Sequence, residues 1–428
     1  MDFPEALRDL DARQPESMPE RGLERIEAIA ESLNHPELTY PSIQVTGTNG
    51  KTTTARMITA IACADGLSAG TYISPHVGSV TERLALCGEP ISEDEFAEAY
   101  RHLLPFLQRV DGPGFRVTYF ETLTALAYLW FADKPVDLGV FEVGMGGTWD
   151  ATNLVRGDVA VLCPVGIDHK ELGSTVGEVA TEKAGIIKEG RTAVVREQRP
   201  EAMAAIEARC KEMGAELILE GRDFELLSRA QALAGQAISI RGRYGTYDDL
   251  FVPLFGEHLA RNAAAAVAAF ESFLGRTLEE TAVRTGLAGV ASSGRLEVVG
   301  RRPLVVLDGA HNPDAAAALA SALREAFKWE RLHLVIGMFG DKDVEAVVRL
   351  MAPLADRAYA GVSSSPRAAP LERVEKALRG AGVKDVQAFR TISEAVEEAR
   401  AAAGESDLIL VTGSFYTVAD ARSLFVSD

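Results

Sequence analysis

From Val45 to Thr53 the chain reads VTGTNGKTT. A β-branched run stops at a glycine, and a lysine followed by threonines opens a helical pattern. Residues of these types in this order can hold phosphate. Glycines let backbone N–H groups turn toward an anion, and the N terminus of the following helix adds its dipole. Lys51 would then sit on the terminal phosphates, and Thr52 would offer its hydroxyl to Mg2+. Thr48, Asn49, Gly50 and Thr53 complete the candidate nucleotide-contacting run. The cradle is short: the common G-x-x-x-x-G-K-[ST] loop would put a glycine where this chain has Val45. Glu142 closes the apolar run LGVFE. A carboxylate buried there is costly unless it is paired or on a metal. A Mg2+ ligand is therefore preferred over a strand-end carboxylate bonded to the glycines that follow.

Such groups act together only if strands end beside one another. Strands are expected over residues 42–47, 70–74, 137–144, 158–165 and 192–196. Amphipathic helices at 53–65, 92–110 and 118–131 lie between them. Strands separated by helix-length crossovers predict a parallel sheet covered on both faces. Over 223–255 the texture changes to two-residue alternation with Gly and Asp turns, which predicts a small antiparallel sheet. An Ala-rich helix follows at 257–270. A second βα series then runs through PLVVLDGAHNP, LHLVIGMFGDKD, AYAGVSS and DLILVTGSFYTVADAR. The fold class expected is α/β: a P-loop-type ATP-binding domain over 1–295 with a small antiparallel sheet, and a Rossmann-like domain over 296–428. The Ala-rich faces at 263–269 and 315–320 suit close packing.

Composition narrows the function classes. The 428 residues carry 44 Lys+Arg against 62 Asp+Glu, a net charge of −18. Without a basic stripe the chain is a poor nucleic-acid binder, because such binding draws its affinity from neutralised phosphates. Cys63, Cys87, Cys163 and Cys210 are widely spaced with no C-x-x-C pair. Buried free thiols in a reducing compartment are expected, with neither disulfide framework nor zinc site. The N-terminal stretch lacks the basic and apolar regions of a signal peptide. The longest apolar stretch, 122–132, falls short of the roughly 18 residues of a spanning helix. These readings point to the cytoplasm and to no membrane partner.

Further short motifs stand around the phosphate loop in a fixed order. GLERIE (22–27) precedes it. SPH (74–76) with TER (81–83), FET (120–122), EVGMGG (142–147) with DATN (150–153), DH (168–169), EKAGI (182–186), DGAHNP (308–313) and TGSFY (412–416) follow. With TGTNGKTT they resemble the Mur ligase superfamily of ATP-dependent amide-forming ligases. Within it the chain looks most like the folylpolyglutamate synthase/dihydrofolate synthase family, over nearly its whole length.

The resemblance implies an ATP-dependent ligase that joins L-glutamate to a folate-type carboxylate through an acyl phosphate. It implies ATP, two Mg2+ ions and K+ as a further candidate cation, folate or pteroate and L-glutamate as partners, and a monomer. By resemblance Asn262 and Arg295 contact ATP, Asp308 at a strand end suits the ribose or the hinge, His169 and Ser74 join a second Mg2+, and Lys183 is carbamylated near it. His311 and Ser414 help hold the incoming glutamate. Either His311 or a substrate carboxylate with water would serve as general base. The segment 74–86 reads as a mobile loop over the first substrate. Arg83 would pair with a carboxylate there, Phe120 would stack on a pterin, and Asp150 would accept from pterin amino groups. The bland readings stay beside these: Phe120 as core, Ser414 as a strand-to-helix turn, Lys183 as a surface lysine paired to Glu178 or Glu182. Thr148-Trp149 and Lys170 depart from the family pattern and bear on substrate choice. The rivals are a Mur-type ligase for another acyl substrate and a nucleotide-gated binding protein.

Overall fold

The computed structural model describes residues 1–15, 21–167, 170–291 and 293–426. Its largest sheet holds β1 (Ser42–Thr46), β2 (Ala69–Tyr72), β3 (Leu84–Leu86), β4 (Glu89–Pro90), β5 (Leu138–Glu142), β6 (Val159–Leu162), β7 (Thr192–Val195) and β8 (Glu216–Leu219). They lie in the order β4-β3-β2-β5-β1-β6-β7-β8. From β2 to β8 neighbours pair in parallel, and only β3 and β4 add antiparallel edge strands. Every residue of β1 and β5 is buried, as expected of strands covered on both faces. The order puts β1 between β5 and β6, so the phosphate loop emerges at the centre of the sheet's C-terminal edge.

The expected antiparallel sheet is present as β9 (Glu225–Ala232), β10 (Gly235–Arg241) and β11 (Thr246–Val252). A second layered body holds β12 (Glu297–Arg301), β13 (Leu304–Asp308), β14 (Leu332–Ile336), β15 (Arg357–Ala360), β16 (Asp385–Ala388) and β17 (Leu408–Thr412). Its order is β12-β13-β17-β14-β15-β16, parallel except for β12. Strands β3, β4, β8, β12 and β16 are additions to the pattern expected from sequence. All five carry exposed or half-buried positions, which blurs the apolar run that announces a buried strand.

The helix Tyr119–Asp133 explains the longest apolar stretch. Thr118 and Glu121 form a capping box at its start, and eleven of its residues, from Glu121 to Phe131, are buried. It is a core helix, and no helix among the described residues is long and apolar enough to cross a membrane. The alanines of the helix Glu257–Leu274 are buried from Ala263 to Ala269. The two bodies meet through Asn49 and Asn312, whose amides donate to each other at 2.9 and 3.3 Å. Arg199–Asp314 and Arg229–Glu325 add ion pairs across the same seam.

The cysteine expectation needs correction. Cys63 and Cys87 form a disulfide, with Cα atoms 5.7 Å apart, while Cys163 and Cys210 are free and buried. Cys63 lies near the end of the helix Lys51–Ala64, which leads into β2. Cys87 follows β3, and β3 runs antiparallel beside β2, which returns the chain to that helix end. Motif spacing could not reveal a pairing made by strand order. The thiol argument for a reducing compartment therefore falls away.

Candidate active site

The glycine loop after β1, the candidate phosphate cradle, has backbone geometry that only glycine tolerates. Gly47 has φ +145° and a Cβ there would stand 2.6 Å from Cys163 Cβ; Gly50 has φ +91° and lies against Asn262. Thr48 pins the loop to the end of β6: its N–H donates to Pro164 O at 2.9 Å, and its hydroxyl donates to Gly166 O at 2.8 Å. The hydroxyl also accepts from Gly166 N at 2.9 Å. Thr53 is buried in the helix that follows.

Glu142 ends β5 beside this loop and is 1% exposed. Its Oε1 accepts from Thr52 Oγ1 at 2.9 Å and its Oε2 accepts from Ser74 N at 3.2 Å. Burial raises its pKa, opposed by Lys51, Thr52, the Ser74 N–H and Arg295. Lys51 Nζ donates to Gly47 O at 3.2 Å, and Lys183 Nζ donates to the same oxygen at 3.0 Å. Lys183 is 4% exposed, so the surface-lysine alternative does not hold. Asp168 and His169 lie outside the described residues. Among the described residues no three His, Cys, Asp or Glu side chains form a metal cluster.

A cleft of about 510 Å3 runs from the phosphate loop between the two bodies. Lys51, Thr52, Ser74 and Glu142 line it, together with Arg83, Phe120, Asp150, Arg295 and His311. Arg25 and Glu121, from two of the quoted motifs, form a buried pair in which Nε donates to both carboxylate oxygens at 3.0 and 2.9 Å. That pair anchors the start of the helix carrying Phe120. Phe120 is half-buried: its ring lies 6.0 Å from that of Tyr72 and under Gly144, while it also faces the cleft. Arg83 donates to His76 Nδ1 at 2.9 Å, and its guanidinium lies 5.5 Å from the Tyr119 ring. The segment between them is braced by Glu82, which accepts from Val77, Gly78 and Ser79 N–H groups.

Asp150 is 3% exposed and accepts from Met145 N, Thr152 N and Thr152 Oγ1 at 2.8, 3.0 and 2.6 Å. Desolvation raises its pKa against those donors. Thr148, a departure from the family pattern, donates its hydroxyl to Glu182 O at 3.1 Å and so braces the loop. Cations near this loop include Arg21, whose guanidinium lies 5.6 Å from the Trp149 ring, and Lys188, whose Nζ donates to Asn153 O at 2.7 Å. The Lys170 side chain lies outside the described residues.

Across the cleft, Arg295 stacks 4.5 Å over Phe415. Burial lowers its pKa, and Asp308 and Glu142 oppose that shift. Asp308 is 6% exposed, accepts from Leu296 N and Ala310 N at 3.0 and 2.9 Å, and so ties the interdomain connection to the end of β13. Its pKa is raised by burial, with Arg295 as the main counterweight. His311 Nδ1 donates to Gly309 O at 2.8 Å. Ser414 is fully buried as the N-cap of the helix Phe415–Arg422, its Oγ accepting from Thr417 N at 3.0 Å. Lys183, Asn262, Asp308 and Ser414 stand behind the cleft wall rather than on it.

Sequence reasoning missed Arg13, Lys342 and Arg367 on the cleft. Arg13 is buried between Asp9 and Asp111 at 3.3 and 3.2 Å. Arg367 pairs with Asp341 and lies 4.7 Å from the Phe339 ring. For Lys342 the available signal was GMFGDKD, a loop at the C-terminal end of a parallel strand, where ligands of α/β folds gather.

The family model described as Mur ligase middle domain matches residues 45–270, and Mur ligase, glutamate ligase domain, matches residues 294–415. The chain is 38% identical to the dihydrofolate synthase/folylpolyglutamate synthase of Mycobacterium tuberculosis, covering 98% of this chain and 93% of that one. Among solved structures, Mycobacterium tuberculosis folylpolyglutamate synthase complexed with ADP superimposes with a TM-score of 0.95 at 37% identity, covering 100% of this chain and 98% of that one. Escherichia coli FolC in complex with DHPP and ADP gives 0.89 at 32% identity, covering 99% and 97%.

Proposed function

The chain belongs to the folylpolyglutamate synthase/dihydrofolate synthase family of the Mur ligases, and on that premise we propose how its residues divide the work. It is an ATP-dependent ligase that joins L-glutamate to a folate-type carboxylate. The observation that carries the division of roles is the meeting of the phosphate loop, Glu142 and both domain walls on one cleft.

ATP's γ-phosphate passes to the carboxylate, the glutamate amine attacks the acyl phosphate, and amide, ADP and phosphate leave. Little covalent work falls to the protein in such a transfer; positioning and charge do most of it. The loop Thr48, Asn49, Gly50, Lys51, Thr52 and Thr53 cradles the phosphates. Lys51 offsets charge on the transferring group. Asn262, Arg295 and Asp308 hold the rest of the nucleotide at the seam, so that domain closure aligns the amine.

The Thr52 hydroxyl meets the buried Glu142 carboxylate at 2.9 Å, and Ser74, whose backbone N–H donates to the same carboxylate, stands beside them; their hard oxygens make a set that fits Mg2+. With His169 they would hold the two ions the family implies. When bound, Mg2+ neutralises charge on the phosphoryl oxygens. We further propose that Lys183 is carbamylated and that K+ is a further cation of the site. Phe120, Asp150 and Arg83 hold the pterin and carboxylate ends of the first substrate. His311 holds the incoming glutamate with Ser414 behind it. The domains divide at 295/296, and the protein works as a cytoplasmic monomer without nucleic-acid or membrane partners.

Mass spectrometry of products from ATP, L-glutamate and a panel of pteroates and folates tests the reading. Glutamylated folate or pteroate formed with stoichiometric ADP is expected. ADP release without any amide product, or only with an unrelated acyl substrate, would overturn it.

A further inference from the structure

Behind the phosphate loop lies a buried polar chain that the roles above do not use. Arg196 follows β7 and is 3% exposed. Its Nε donates to Glu220 Oε2 at 2.8 Å, and Glu220 Oε1 accepts from Arg261 Nε at 2.7 Å. On its other side Arg196 Nη1 donates to Asn262 Oδ1. Asn262 is 2% exposed and touches the loop, since a Cβ on Gly50 would stand 3.0 Å from its Oδ1 and 3.1 Å from its Nδ2. Among the described residues its Nδ2 has no hydrogen-bond partner.

A carboxamide presents nearly the same shape with its oxygen and nitrogen exchanged. A guanidinium carries donors only, so Arg196 selects the orientation with Oδ1 toward itself. The Nδ2 donor then points elsewhere, and an unmet buried donor is unfavourable until an acceptor arrives. Buried ion pairs such as Arg196–Glu220 seldom outdo apolar packing in stability; holding one arrangement among several is their better-attested use.

We propose that Arg196 is a positioning residue for nucleotide binding: through Asn262, it turns the carboxamide so that Nδ2 meets an acceptor atom of the bound nucleotide. The inference rests on the assignment of Asn262 to the nucleotide.

The test is ADP titration by calorimetry, with ATP kinetics alongside, on Asn262→Ala, Arg196→Met, Arg196→Lys and the double variant Asn262→Ala/Arg196→Met. Each single variant should weaken ADP on the order of tenfold, the effect of one hydrogen bond. ATP KM should rise with kcat nearly unchanged. The double variant should bind no more weakly than Asn262→Ala alone, because Arg196 acts through that side chain. Arg196→Lys keeps a cation beside Glu220 but lacks the second nitrogen for Asn262, so it should fold even if Arg196→Met does not. Wild-type ADP affinity in folded Arg196→Lys, or losses that multiply in the double variant, would overturn the inference. Unchanged ADP affinity in Asn262→Ala would instead sink the nucleotide assignment on which it stands.

Discussion

The amines of Lys51 and Lys183 converge on one acceptor, the carbonyl oxygen of Gly47, at 3.2 and 3.0 Å. Lys183 is 4% exposed, so its amine lies inside the site beside the loop. The carbamylation proposed at Lys183 would place a carboxylate there. Lys183→Ala should therefore lose activity that formate or acetate partly restores by supplying the missing carboxylate. Carbon-13 NMR with labelled bicarbonate reads the carbamate directly. An unmodified Lys183 in a crystal with Mg2+ and nucleotide would contradict the assignment.

Lys51 is half-buried, and its Nζ donates to the loop carbonyl of Gly47. Lys51→Ala should leave the fold intact, judged by circular dichroism, while the ligation rate falls by at least about 100-fold, as for other preorganised charge partners. Near-normal turnover in the folded variant would remove the loop from the ATP site.

Asp150 and Arg83 should separate two kinds of substrate contact. Because Asp150 already satisfies three donors of its own loop, truncation to Ala would strand them and cost stability. Asp150→Asn is the cleaner variant. It should weaken dihydropteroate use by about 1–3 kcal/mol, the effect of leaving a buried donor poorly met, with ADP affinity unchanged. Arg83→Ala should impair pteroate and folate substrates alike. Ligation assays with 7,8-dihydropteroate and tetrahydrofolate side by side decide it; a loss of ADP binding in Asp150→Asn would refute the division.

His258 sits at the seam, close to Gly256 and Ala322. Burial, then Arg295, Arg196 and Arg229, lowers its pKa to about 4. The unfolded chain takes up this proton near the ordinary value of 6.5, whereas the folded chain resists until about 4. The neutral ring's contribution is thus fully present above pH 6.5 and lost as pH falls toward 4, by roughly 2–3 kcal/mol at most. Melting temperatures of wild type and His258→Asn should converge over that interval. Parallel curves from pH 7 to 4 would show that His258 does not titrate there.

The Cys63–Cys87 bond closes a loop with a sequence separation of 24. By chain entropy such a loop contributes about 3 kcal/mol to the domain that holds it. Cys87→Ser should lower the melting temperature without reductant and change little with it. Thiol counting on the denatured, unreduced protein should find two free cysteines; finding four would refute the bond.

Much of this was legible in the chain because it is local. Turn glycines, a lysine at a helix start and an apolar run closed by Glu142 each specify their own geometry through backbone sterics and hydrophobic period. Those signals announced β1, its loop and helix, the central parallel strands and the small antiparallel sheet. Strand order decided the rest, because hydrogen bonding between strands depends on which ones lie side by side, and no spacing in the chain records that. It set Glu142 against Thr52 by putting β5 beside β1. It brought Cys87 back to Cys63 through the antiparallel return of β3, against the expectation of free thiols. The fold likewise turned Thr148 to the Glu182 carbonyl and seated Ser414 as a buried cap. Arg196 carried no mark of its own; it acquired a partner in Asn262 only when β7 and the helix Glu257–Leu274 packed together. Local residue types determined what chemistry the chain could offer, and the packing of distant segments decided which groups meet to perform it.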